Sequence, residues 1–184
     1  MKVDFQGNVI SGDYKYNDAG HAIHTAVLMA RPDVNVVLHS HTRAGMTVSC
    51  MQCGLLPLTQ QASEVMDNLC YHDYDIAVGA EDECERLGRD IGDKHAMIMH
   101  NHGLLTCAST VAEAFYQMYI LENACKVQVD AMASGADLHH TKESAAKMLR
   151  DYGRVKPNKP SRSSRLAWPA LLRMLDKQDD SYRS

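Results

Sequence analysis

Two short runs of this sequence hold side chains that could do chemistry together. His39-Ser40-His41 follows an apolar, β-branched run at 34–38, and Met99-His100-Asn101-His102-Gly103 closes another apolar run at 96–99. Residues i and i+2 of a strand point to one face. His39 and His41 would therefore lie side by side at a strand's C-terminal end, where ligand sites of open α/β sheets collect. If the two strands are neighbours, a histidine from the second run lies at the same sheet edge and completes three imidazoles around an open fourth position. That is the donor set of a catalytic divalent-metal site. His100 and His102 would share a face if the second strand stays regular. His102 is preferred because it sits at the tight turn that Gly103 permits. The competing reading has both histidines satisfied by backbone carbonyls.

The elements that must position these residues can be read from the surrounding pattern. Residues 2–11 read as strand, turn at Gln6-Gly7-Asn8, and strand. Asp18 is placed as the N-cap of a helix over 21–30 that stops at Arg31-Pro32. Strands are expected at 34–38, 55–58, 68–71, 96–99 and 104–107. A short helix is expected at 42–50, and an amphipathic charged one at 81–90. Ser109 or Thr110 would cap a long helix over 111–134, with Ala114, Met118, Leu121 and Cys125 on its core stripe and Glu113 and Glu122 as surface or salt-bridging residues. A further helix covers 141–152. Strands alternating with helices make this an α/β layered fold. The expected organisation is one domain over 1–152, a flexible linker over 153–165 rich in Lys, Arg, Pro and Ser, and a C-terminal amphipathic helix and tail over 166–184. The Trp, Leu and Met side chains of 168–175 need a docking surface, which a neighbouring subunit could supply.

Composition removes several classes of function. The chain has 184 residues, a net charge of −4 and 45% hydrophobic residues, enough for a buried core. Its acidic balance argues against a nucleic-acid surface, and no apolar run is long enough to insert into a membrane. The six cysteines sit in apolar or helical segments and read as mostly buried thiols of a cytoplasmic protein. Cys50 and Cys53 form a CxxC pair, read as two small hydrophobes at helical spacing rather than a zinc or redox motif. Of the other histidines, His21, His24 and His95 read as helix-face or capping residues, and His139 and His140 as solvated ones.

The runs AGHAIHTAVLMARPDVNVVLHSHTRAG, GLLPLTQ and MIMHNHGLLTCASTVAEAFYQMYILENA occur here in an order and separation that resembles the class II aldolase/adducin family, over residues 3–135. The runs YHDYD and WPALLRMLD look closest to adducin head domains and their bacterial relatives. The resemblance implies a three-layer α/β/α sheet flanked by helices, without the N-terminal segment usual in the family. It also implies a homo-oligomer, commonly a tetramer, with sites near subunit interfaces. It assigns His39, His41 and His102 as ligands of Zn2+ or another divalent ion such as Mn2+, Fe2+ or Co2+. The ion would polarise a carbonyl and hydroxyl of a small-molecule substrate and stabilise an enediolate.

This sequence departs from the family pattern at the general base. The position of the aldolases' glutamate is Gly20 here, and the two preceding positions, phosphate-binding serines in the sugar-phosphate aldolases, are Asp18 and Ala19. A carboxylate beside a phosphate is repulsive. Asp18 is a weak substitute base, and Tyr71 and Tyr74 are weak proton-donor candidates. Gln60 and Gln61 fall near the position of the aldolases' interface tyrosine, where glutamine cannot act as an acid. The resemblance thus implies a metal-dependent carbon–carbon lyase, by aldol cleavage or decarboxylation of a small hydroxy or oxo compound. The alternative is a non-catalytic adducin-like interaction module of actin or cytoskeletal type that keeps the metal site.

Overall fold

The computed structural model describes residues 1–75, 80–153 and 161–183. A hairpin of β1 (Lys2–Val3) and β2 (Val9–Ser11) leads into α1 (Asp18–Ala30). Then follow β3 (Val36–Ser40), α2 (Arg43–Ser49), α3 (Gln60–Met66), β4 (Leu69–His72), α4 (Ala80–Ile91), β5 (Ala96–Met99) and β6 (Gly103–Ala108). The long α5 (Val111–Ala133), α6 (Glu143–Gly153) and α7 (Arg162–Gln178) complete the chain, with a 3-10 turn at Ser181–Arg183.

β3 to β6 form one mixed sheet in the order β3-β6-β5-β4, antiparallel at β3/β6 and β6/β5 and parallel at β5/β4. Successive strand residues alternate faces, and each face meets its own helices. Ala96, Ile98 and Leu104 pack with Val48, Val65, Leu121 and Cys125 of α2, α3 and α5. Met97, Met99, Leu105 and Cys107 pack with Ile23, Val27, Leu87 and Ile91 of α1 and α4. Both faces are covered, which explains why β5 and β6 are buried along their whole length and read as continuous apolar runs. The expected three-layer α/β arrangement is therefore found.

Several local expectations are corrected. The run 55–58 is a loop, not a strand. Pro57 has no amide to give a ladder, and the Leu55 and Leu56 amides donate instead to Tyr71 Oη at 3.0 Å and Gln128 Oε1 at 2.7 Å. Asn17, not Asp18, caps α1, its Oδ1 accepting from Ala19 and Gly20 amides. The first strand of the main sheet runs two residues later than expected and takes in His39. Cys50 and Cys53 are exposed rather than buried.

The C-terminal region also differs. Of the expected linker, 154–160 lie outside the described residues, Gly153 closes α6, Ser161 caps α7, and 162–165 form its first turn. α7 carries Pro169 inside it and docks on α5 of the same chain, with the Trp168 and Phe115 ring centroids 5.4 Å apart. Glu113, expected on the surface, is 2% exposed and receives the Ser161 amide at 2.7 Å and the Ser164 hydroxyl at 2.6 Å. A buried carboxylate needs such donors, and here they are the N-terminus of α7.

Candidate metal centre

The three histidines come from two connected places in the sheet. His39 lies in β3, and His41 follows two residues on, just before Thr42 caps α2. β5 is not β3's neighbour, since β6 lies between them. The two-stranded turn from β5 into β6 carries His102 across that gap. Asn101 holds φ at 56° in this turn, a left-handed conformation that asparagine tolerates. The His102 amide donates to Met99 O at 3.1 Å, and the Asn101 amide to Ser49 O at 3.1 Å. The turn is thus pinned both to itself and to the end of α2.

The Nε2 atoms of His39, His41 and His102 form a triangle with edges of 2.9, 3.0 and 2.9 Å. Among the described residues this is the one group of three or more His, Cys, Asp or Glu able to hold a metal ion. His39 Nδ1 lies 2.9 Å from Leu104 O. A carbonyl only accepts, so Nδ1 carries the proton and Nε2 presents a lone pair to the other rings. Three imidazoles cannot satisfy one another around such a triangle, whereas a divalent cation accepts one lone pair from each. The donor set fits a metal, and the Leu104 carbonyl supplies the outer hydrogen bond that fixes ligand orientation in such sites.

The electrostatics run the same way. Burial pushes His39 down to about 4, opposed by the Leu104 carbonyl and reinforced by His102, His41 and His24. His102 is also lowered, first by burial and then by His41, with Glu83 acting in the opposite direction. Neutral imidazole is the ligating form, and burial favours it at His39 and His102.

The remaining sequence candidates separate cleanly. Tyr74 packs on His102 with ring centroids 3.9 Å apart, and burial raises its hydroxyl above the usual tyrosine value. Tyr71 is occupied elsewhere, receiving the Leu55 amide and stacking on His100 at 5.5 Å. His100 does face a backbone carbonyl, Ser49 O at 3.3 Å. Asp18 sits in the first turn of α1 and acts on Tyr16. Gly20 offers no side chain to the site, although a β-carbon there would meet nothing closer than Asn17 at 3.9 Å.

Sequence reasoning set His72 in a polar-aromatic cluster with Tyr71, Asp73 and Tyr74 and gave it no role of its own. Its ring is fully buried between Glu83 Oε1 at Nε2 and Asp90 Oδ2 at Nδ1, each 2.8 Å away. The available signal was the charged face of α4, whose Glu83, Arg86 and Asp90 recur at helical spacing.

The comparisons with known proteins agree with this architecture. The family described as Class II Aldolase and Adducin N-terminal domain matches residues 1–129. A Pseudomonas aeruginosa protein assigned by name to aldolase class 2 is 44% identical over 185 residues, covering 100% of this chain and 71% of that protein. Mouse alpha-adducin is 40% identical over 138 residues, 73% of this chain but 19% of that protein. The crystal structure of an aldolase II superfamily protein from Pseudomonas syringae superposes with a TM-score of 0.88 at 35% identity, covering 99% of this chain and 73% of that one. An L-fuculose 1-phosphate aldolase from Glaciozyma antarctica shares the fold, with a TM-score of 0.78 at 24% identity over 95% of this chain and 68% of that one.

Proposed function

Because this chain belongs to the class II aldolase and adducin family, we propose that it is a divalent-metal-dependent carbon–carbon lyase acting on a small hydroxy or oxo compound. The observation that carries this reading is the closed triangle of His39, His41 and His102 Nε2 atoms with the His39 tautomer fixed by Leu104 O. These residues would hold Zn2+, or Mn2+, Fe2+ or Co2+, and the bound ion would act as a Lewis acid toward a substrate carbonyl or hydroxyl oxygen.

The chain's own residues favour decarboxylation over aldol cleavage. Aldol cleavage requires a base to take the hydroxyl proton, and Gly20 and Asp18 put no carboxylate at the triad. Decarboxylation releases carbon dioxide and leaves an electron pair on carbon, which then needs a proton delivered to it. Tyr74 stands against His102 and, with its hydroxyl raised by burial, remains a protonated donor at neutral pH. In this reading the protein is cytoplasmic and homo-oligomeric, with no helix among the described residues long and apolar enough to cross a membrane.

A second reading rests on Gly20 and on the identity with mouse alpha-adducin: a non-catalytic module that keeps the triad and binds a protein partner, actin being the candidate. The deciding experiment incubates Zn2+-, Mn2+- or Co2+-loaded protein with a panel of small hydroxy and oxo acids and follows carbon dioxide and aldehyde release. Turnover that disappears in the His39→Ala/His41→Ala double variant supports the lyase. Absence of turnover across the panel, with co-sedimentation on filamentous actin, supports the second reading instead.

A further inference from the structure

Tyr74 is the described side chain other than the triad itself whose ring packs on a triad ring, yet it lies in neither a helix nor a strand. Something outside regular structure must hold it there. The two peptide groups that flank it show what does. The carbonyl of Asp73, before it, accepts from Arg86 Nη2 at 2.6 Å. The amide of Asp75, after it, donates to Glu83 Oε1 at 3.2 Å. Arg86 and Glu83 are one turn apart on α4 and pair with each other at 2.7 Å. The backbone on either side of Tyr74 is therefore gripped by one ion pair.

That ion pair is itself oriented. Glu83 is 7% exposed and shares Oε1 with His72 Nε2 at 2.8 Å, while His72 Nδ1 faces Asp90 Oδ2 at 2.8 Å. His72 ends β4 and its carbonyl receives the His100 amide at 2.8 Å, so the ring has a fixed base in the sheet. Each ring nitrogen faces a carboxylate, an acceptor, and a ring carrying both protons satisfies both. Arg86 stands alongside on Glu83, so the fully buried His72 ring and the largely buried Glu83 carboxylate are tied to the partly exposed Asp90 and Arg86 side chains. Removing the His72 ring leaves the buried Glu83 carboxylate with Arg86 as its remaining side-chain partner, and a buried charge that loses a partner is costly.

We propose that His72 is a positioning residue: through Glu83 and Arg86 it fixes the 73–75 backbone and so sets the Tyr74 ring against His102. The proposal deepens the lyase reading, since it makes proton delivery at the site depend on a residue that touches neither metal nor substrate.

The test reads Tyr74 directly and does not require turnover. Tetranitromethane attacks the phenolate, so a tyrosine that is packed and raised reacts slowly. Nitration of Tyr74 is measured by peptide mass spectrometry in the full chain and in His72→Gln, with the 81% exposed Tyr14 as internal standard. Asp90→Asn provides a second variant, which keeps the side-chain shape and removes the charge beside His72. A Tyr74 ring freed from its packing on His102 is open to the reagent, and its nitration rises relative to that of Tyr14. The proposal expects a severalfold rise in His72→Gln and a smaller rise in Asp90→Asn, with far-ultraviolet dichroism unchanged. Co2+ is titrated into the same proteins, and its visible absorption reports the triad separately. A Tyr74 rate unchanged in both variants, while the fold is kept, overturns the proposal. A parent that binds no Co2+ overturns the metal reading and leaves the nitration comparison intact.

Discussion

A β-carbon on Gly103 would run into the carbonyl oxygen of Ser40 and come within 3.1 Å of His41 Cδ2. The residue after one triad histidine thus touches the backbone between the other two. Glycine here has nothing to do with a left-handed φ. It lets the β5–β6 turn lie close against the end of β3, and that approach closes the triangle of Nε2 atoms.

Gly103→Ala follows from this contact. The neighbour is backbone and cannot swing aside, so the turn must move. Overpacking of this kind costs about 1–3 kcal/mol. The metal-free variant should unfold at lower temperature by a corresponding amount in differential scanning calorimetry. Its metal affinity should fall as well, because His41 and His102 are pushed apart. Unchanged stability and full metal occupancy would show that the approach is looser than described.

Gly20→Glu should act in the opposite sense. Gly20 is the third residue of α1, and a β-carbon there meets only the Asn17 side chain at 3.9 Å. Glycine costs a helix about 1 kcal/mol relative to alanine. A glutamate at the third position favours the N-terminal end of the helix dipole and can reach back to the cap amide. The variant should gain on the order of 1 kcal/mol in urea denaturation. It also puts a carboxylate at the position that the family resemblance assigns to the aldolases' base. Appearance of aldol cleavage in this variant alone would identify the missing base as what separates this chain from those enzymes.

The His39 shift has a sign that acid titration can read. In the folded, metal-free protein this ring is held down to about 4, against 6.5 for the unperturbed group. Between those values the unfolded chain binds the proton and the folded chain does not. Stability of the chelator-treated protein should therefore rise with pH across this window and be lost as pH falls toward 4. Two-dimensional NMR of the histidine ring nitrogens should place the His39 midpoint near the lower value. A midpoint near 6.5, or a stability slope unchanged in His39→Gln, would contradict the burial described for this ring.

Much of this arrangement was legible in the residues. The HxH spacing set His39 and His41 side by side and the turn glycine favoured His102 as the third, because strand geometry has a short period and tolerates little variation. The strand pairing was not legible: nothing local in the runs at 36–40 and 96–99 says that β6 lies between them. Contacts that depend on distant partners were also hidden. Glu113 reads as a surface helix residue until α7 arrives with Ser161 and Ser164. Leu55 and Leu56 look like a strand until Tyr71 and Gln128 take their amides. His72 is one histidine among ten, and only its burial between Glu83 and Asp90 separates it from the rest.

The central claim is that His39, His41 and His102 hold a divalent cation, and metal content tests it most directly. Plasma mass spectrometry of the purified protein, before and after reconstitution with Zn2+, Mn2+, Fe2+ and Co2+, is compared with the same measurement on the His39→Ala/His41→Ala double variant. The account predicts about one ion per chain in the parent, as three histidines with one open position require, and none above background in the variant. A parent that remains metal-free after reconstitution, or a variant that retains the parent's metal, would contradict it.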